Sequence, residues 1–277
     1  PSEQVAAYYD NCHDAYRKYH SSEGAVHMAL NDSGRFDADG FYGQLRRIES
    51  RWLQSGSAQV LELGFGQGFN LAYLATRHTG CSFAGIDLTG SHVAIASRRL
   101  AGLHNVQLVR GDFHRLPFAD AAFDELYGIE SFCHAQDVAR AFAEAARVLR
   151  PGGRFTLFDG YLPRSAATLQ ADESLAVELV ARGLAIEGLQ VQDELIAAAA
   201  RFGLQLQAAV VLDEQVLPSL RRLERTTGAV IRWPWLGRRA LARRDPARGR
   251  NVLAGYLMRS TVEMGLIGYR EIVLVKR

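Results

Sequence analysis

Val60 to Asn70 reads VLELGFGQGFN. An apolar run leads into three glycines at alternate positions, Gly64, Gly66 and Gly68, and then Asn70. A tight strand-to-helix turn needs residues that accept positive φ, and it needs backbone without Cβ where a ligand comes close. The helix that follows then directs its free N–H groups at the crevice where ligands of open α/β sheets bind. Glycine spacing alone serves a bare structural turn equally well, so the surrounding chain has to decide.

Outward from this loop the pattern alternates. QVLEL before it reads as a strand and GFNLAYLATR after it as a helix. CSFAGID, VQLVRGD, FDELYGIE and RFTLFDG are further strands, separated by the helical stretches SHVAIASRRLAGL and DVARAFAEAARVL. In the latter, Val138, Phe142, Ala145 and Leu149 share one face. Short apolar strands alternating with helices predict parallel pairing and a doubly wound α/β sheet. Residues 1–55 read as a helical N-terminal cap, with Phe41, Leu45, Ile48 and Trp52 on one face and Asp37 or Asp39 as its cap. The α/β domain is expected over 56–277. After residue 165 come two helical stretches, a strand GLQLQAAVVL, an Arg-rich insert at about 213–263 holding a helix near 249–263, and a last strand YREIVLVKR.

The 277 residues are 48 % hydrophobic and 22 % charged, enough for a large core and unlike a disordered chain. Cys12, Cys81 and Cys133 form no C-x-x-C pair and no metal-like spacing, which suggests reduced thiols in a cytoplasmic protein and no metal site. No run of about 18 apolar residues predicts a spanning helix. The sequence starts at Pro1, not Met, which leaves a removed leader open, though nothing visible reads as one. Net charge is +2, but the window from Arg221 to Arg250 holds ten arginines against Glu224 and Asp245 and carries +8, leaving −6 elsewhere.

Asp87 ends the second strand about 20 residues beyond the glycines, where a carboxylate can accept both ribose hydroxyl protons of an adenosine-type ligand. GDFHRLPF then puts Asp112 and Phe113 at the third strand end, an acid for an adenine amino group beside a ring to flank the base. A nicotinamide-dinucleotide loop would read G-x-G-x-x-G, which Gly64-Phe65-Gly66-Gln67-Gly68 does not. E-x-G-x-G-x-G from Glu62, Asp87, the GD before Phe113 and RVLRPGGRF before the fifth strand together resemble the class I S-adenosylmethionine-dependent methyltransferases. The resemblance covers about residues 58–160. It implies a Rossmann-like, mostly parallel seven-stranded sheet whose last strand, within LIGYREIVLVKR, is antiparallel, and S-adenosyl-L-methionine as cofactor. It further implies cofactor-binding positions at Glu62, Leu63, Gly64, Gly66, Gly68, Asn70, Asp87, Leu88, Asp112, Phe113 and Ile129.

GIESFCHA, Gly128 to Ala135, resembles the IEATCHA-type segment of sterol C-methyltransferases and of related enzymes that methylate isoprenoid double bonds. YYDNCHDAYRKY followed by HMAL resembles the N-terminal helix that covers the active site in that group, with Tyr8, Tyr9, Tyr16, Tyr19 and His27 at its aromatic-rich positions. Methylating an alkene leaves a carbocation, which aromatic faces stabilise and a carboxylate can pair with and deprotonate. The resemblance thus points to Glu130, His134 and Tyr19 as catalytic residues, and to Tyr8, Tyr9, Phe132 and Trp233 against the substrate. The arginines of the window, beside Trp233 and Trp235, suit a prenyl diphosphate, a transient contact with an anionic membrane surface, or a solvated helix. No nucleic-acid module is visible. The expected activity is C-methylation of a small isoprenoid, either a prenyl diphosphate or a sterol- or terpene-like compound. O- or N-methylation of a natural product or amine, and a cofactor-binding protein without turnover, are the rivals. The N-terminal segment suits a lid or a dimer face, so monomer and homodimer both remain open.

Overall fold

The computed structural model describes residues 5–10, 20–55, 58–233, 235 and 246–277. Seven strands form one sheet: β1 Gln59–Leu63, β2 Ser82–Asp87, β3 Val106–Arg110, β4 Phe123–Ile129, β5 Leu149–Tyr161, β6 Leu204–Val211 and β7 Gly268–Lys276. Their order is β3-β2-β1-β4-β5-β7-β6. The first five pair in parallel, and β7 runs antiparallel to both β5 and β6. Helices connect them: α1 Gly43–Ser55, α2 Phe69–Arg77, α3 Gly90–Arg99, α4 Val138–Val148, α5 Ala171–Gly183, α6 Gln192–Ala200, α7 Asp213–Arg232 and α8 Pro246–Glu263.

Neighbouring strand residues belong to different cores, because side chains of a strand alternate between faces. Val60, Phe83, Tyr127 and Phe158 pack with Trp52, Leu74 and Leu220 on one face. Leu61, Leu126, Phe155 and Leu157 pack with Phe142, Val148 and Leu195 on the other. Both faces are covered, which is why these strands read as nearly continuous apolar runs. Asp137 caps α4 by accepting from the Arg140 N–H, Phe142 and Ala145 are fully buried along it, and the buried Leu149 caps its end and opens β5.

The N-terminus is helical at residues 5–10 and again over 38–55. Among the described residues, 21–37 lack regular helix. Ser21, Gly24 (φ 85°), Asn31 and Gly34 (φ 72°) are turn formers and break the periodicity. Regular helix resumes with a short 3₁₀ turn, Ala38–Tyr42, capped by Asp37, and then α1. Leu45, Ile48 and Trp52 of α1 are buried in the sheet's core, so α1 is an integral layer of the fold. The stretch between β6 and β7 is two helices, α7 and α8, with α8 against α5 and α7. Among the described residues no helix is long and apolar enough to cross a membrane. Strand order reverses between β1 and β4, and a crevice at the carboxyl ends of those strands follows from the topology.

Candidate active site

The loop after β1 stands at that crevice. Gly64, Gly66 and Gly68 all have positive φ, at 76°, 53° and 73°. A Cβ on Gly64 would lie 2.5 Å from the Ser131 Cβ, and one on Gly68 2.9 Å from the Ala96 Cβ, so side chains are excluded at both. Ser131 donates to the Leu63 carbonyl at 2.6 Å, and Asp87 accepts from the Gly66 N–H at 2.8 Å and the Thr89 N–H at 2.8 Å. The loop is thereby fastened to the ends of β2 and β4.

A cavity opens over it. Of the sequence-predicted cofactor residues, Gly64, Gly66, Asp87, Leu88, Asp112, Phe113 and Ile129 line it. Asp112 is oriented by His114, whose backbone N–H reaches it at 2.9 Å and whose Nδ1 reaches it at 2.5 Å. The lining suits an adenosyl sulfonium: bare backbone for close approach, acids for hydroxyl and amino groups, and apolar surface for the base.

Glu62, Leu63, Gly68 and Asn70, also expected to bind the cofactor, do not line this cavity and stand behind its wall. Glu62 is fully buried and accepts from Asn70 Nδ2 at 2.6 Å and the Tyr127 hydroxyl at 3.1 Å. Burial without a cationic partner pushes its carboxyl up to about 8. Asn70 Oδ1 is bonded to His27 Nε2 at 3.1 Å, and His27 Nδ1 to the Met28 carbonyl at 3.1 Å. Burial lowers the His27 pKa, so this ring is neutral.

A second cavity adjoins the first, and Tyr9, Val26, Glu130 and His134 line both. Its far walls are aliphatic: Val180 and Leu184 from the end of α5, Val216 and Leu220 from α7, and Met258 and Val262 from α8. No lysine or arginine lines it among the described residues.

Glu130 stands at the junction with a left-handed backbone, φ 49°, an uncommon and strained state for a non-glycine residue. Its Oε1 accepts from the Met28 N–H at 2.7 Å and from the Tyr269 hydroxyl at 2.9 Å. Desolvation, with the Asp159 charge adding to it, raises this carboxyl to about 8. His134 Nε2 is bonded to the Tyr9 hydroxyl at 3.1 Å, and burial lowers the ring to about 4, so it is uncharged at neutral pH. Tyr8 also lines the second cavity, edge-on to Tyr9 at 5.1 Å, with its hydroxyl accepting from Asn251 Nδ2 at 2.5 Å.

Two sequence-predicted substrate residues are placed elsewhere. Phe132 is 1 % exposed and stacks behind Phe113 at 5.8 Å, against Phe142 at 5.0 Å, as core support for the adenine side. Trp233, at the C-terminal end of α7, is 57 % exposed and lines neither cavity. Tyr19, with Tyr16 and Cys12, lies outside the described residues. The sequence reading also missed Asp159 and Tyr269. Asp159 is buried in the second cavity's wall, accepts from the Cys133 N–H at 2.9 Å and the Gly160 N–H at 3.0 Å, and is raised to about 6 by burial. Its place near the end of β5, beside β4, was a usable signal. Tyr269 arrives on antiparallel β7, and nothing local in the sequence announces it.

Residues 61–157 match the family model described as a methyltransferase domain. Over these residues the chain carries a methyltransferase domain. This methyltransferase domain is similar to the 24-methylenesterol C-methyltransferase 2 of Oryza sativa subsp. japonica, 32 % identical over 151 residues, 53 % of this chain and 41 % of that relative. The match thus spans less than half of the relative's length. Two solved structures share the fold. The [4+2]-cyclase SpnF superposes with a TM-score of 0.79 at 19 % identity, over 99 % of this chain and 96 % of that one. The geranyl diphosphate C-methyltransferase from Streptomyces coelicolor A3(2), in complex with Mg2+, geranyl diphosphate and S-adenosyl-L-homocysteine, superposes with a TM-score of 0.68 at 19 % identity, over 100 % of this chain and 97 % of that one. Seven of the residues expected to bind the cofactor line the glycine-loop cavity, and the second cavity adjoins it.

Proposed function

We propose that the chain methylates a carbon–carbon double bond in an uncharged, lipophilic acceptor of sterol- or terpene-like character. The observation that carries this reading is the meeting of the two cavities at Glu130, with an aliphatic chamber beyond it that lacks any lysine or arginine among the described residues. Among the described residues a diphosphate buried there would find no cationic partner, which is costly. The lipophilic branch of the expectation is therefore preferred over a prenyl diphosphate.

Bound over Gly64 and Gly66, S-adenosylmethionine supplies an electrophilic methyl on sulfonium sulfur. The chain's own residues do the rest. The aliphatic wall excludes water and holds the alkene. An alkene that has gained CH3 is left as a carbocation, and the faces of Tyr8, Tyr9 and Tyr269 stabilise that charge without adding to it. Once ionised, as pH approaches its raised pKa of about 8, Glu130 supplies negative charge in a low-dielectric chamber. The carbocation then loses a proton from a neighbouring carbon to the Glu130 carboxylate, and the freed C–H electron pair forms the new double bond. Tyr269 and the Met28 N–H fix which way Glu130 points.

The pair of carboxyls, Glu130 and Asp159, favours one other reading, N-methylation of a lipophilic amine held as ammonium before it loses its proton. Incubating lipid and aqueous extracts with the protein and methyl-labelled cofactor separates the two by where label lands. Label on carbon in an apolar product supports the proposal, and label confined to amines overturns it.

A further inference from the structure

α7 has two working flanks. Val216 and Leu220 face the acceptor chamber, whereas Pro218, Arg221, Arg222 and Arg225 line a separate outer cavity of about 370 Å³, completed by Gly34, Arg35 and Phe36. The two cavities share no lining residue. The outer one is basic, with no acid in its wall. The Arg222 guanidinium lies 4.5 Å over the Phe36 ring and donates to the His20 carbonyl at 2.7 Å. Arg221 Nη1 stands 3.5 Å from the Gly34 carbonyl.

Two carboxylates of the same segments have partners elsewhere. Glu224 pairs with Arg259 at 2.8 Å, and Asp37 accepts from the Asp39 N–H at 2.9 Å. Among the described residues Arg35, Arg221, Arg222 and Arg225 make no ion pair, whereas Arg46, Arg147, Arg154 and Arg259 each reach a carboxylate. Gathering like charges round a ring is unfavourable until an anion joins them, and the guanidinium fork fits phosphate oxygens bidentately.

We propose that this outer cavity binds a phosphate group, carried by a soluble phosphate ester or diphosphate or by an anionic lipid at a membrane surface. The site is coupled to the chamber through its own walls. The Asn31 N–H donates to the Gln215 carbonyl at 2.8 Å, and the Ala29 N–H to Ser219 Oγ at 3.1 Å, so the segment ending in Arg35 and Phe36 is fastened to α7. That segment also presents Met28 to Glu130. Trp233 and Trp235, 57 % and 65 % exposed, lie at and beyond the end of the same helix and give the lipid source its interfacial anchors.

The test uses the full chain and the variant R221Q/R225Q, whose side chains lie outside the cofactor and acceptor cavities. Calorimetry at low salt measures inorganic pyrophosphate binding. Co-sedimentation compares phosphatidylcholine vesicles with and without phosphatidylglycerol. S-adenosylhomocysteine affinity, expected to be the same in both proteins, reports that the variant is folded and the methyltransferase site intact. Pyrophosphate binding that weakens at least about tenfold in the variant supports a soluble phosphate. Phosphatidylglycerol-dependent sedimentation that the variant loses, with no pyrophosphate binding, supports the lipid source. A wild type that binds neither probe, or a variant that binds either probe as the wild type does, overturns the site while leaving the proposed activity standing.

Discussion

Glu62→Gln probes the support beneath the cofactor loop. Glu62 is fully buried, its partners Asn70 and Tyr127 are neutral, and its carboxyl is raised from 4.5 to about 8. A carboxyl whose pKa rises on folding holds its proton more tightly in the folded chain. It costs nothing below about pH 4.5, where both states are protonated, and its cost grows as pH climbs to about 8, where the folded chain must bury a charge. At about 1.4 kcal/mol per unit, the full penalty is about 5 kcal/mol, an upper bound because the surroundings relax. Gln keeps the volume and an acceptor and removes the titration. Urea unfolding of both proteins at pH 5.5 and 8.5 measures the difference. The stability of the variant relative to the wild type should shift in the variant's favour by about 3 kcal/mol between those values. Any offset from altered hydrogen bonds cancels, because only the change with pH is read. A gap constant to within about 0.5 kcal/mol would show that Glu62 titrates normally and that its burial is not felt as a charge penalty.

Gly64→Ala forces a side chain into a left-handed position, at about 1–2 kcal/mol, and against Ser131; S-adenosylhomocysteine binding by calorimetry should weaken at least about tenfold, and unchanged affinity would remove this loop from the grip. Glu130→Gln should abolish methyl transfer while leaving that affinity within a few-fold. Wild-type turnover should rise with pH as the Glu130 carboxyl ionises, with a midpoint at or below about 8 because a bound sulfonium favours the carboxylate; a variant that still turns over excludes Glu130 as the base. Phe132→Ala should cost about 3–5 kcal/mol of stability by chemical denaturation, with the KM for the acceptor little changed; a large rise in KM with intact stability would return Phe132 to the substrate wall.

The cofactor half of the site was legible because its residues follow one another in a local order. Glycines sit after β1, acids at the ends of β2 and β3, and each strand end is marked by its own periodicity. What the sequence reading blurred was depth. Glu62 and Asp87 look alike as acids at strand ends, yet the first points into a sealed core and the second into the cavity. Strand alternation alone cannot say which face carries the ligand. Phe132 failed for the same reason: an aromatic two residues from Glu130 looks available, but its 3₁₀ turn directs it behind Phe113.

By itself the sequence determined the alternation of strand and helix, the glycine loop with its positive φ and the acids that follow it, since these depend on contacts within a few residues or one βαβ unit. Only the tertiary structure decided what Glu130 faces. Met28 reaches it across 102 residues of chain and Tyr269 across 139, and α7 and α8 close the chamber from beyond β6. A buried carboxyl takes its pKa from everything packed around it, and that packing exists only once antiparallel β7 has brought the far end of the chain back beside β5.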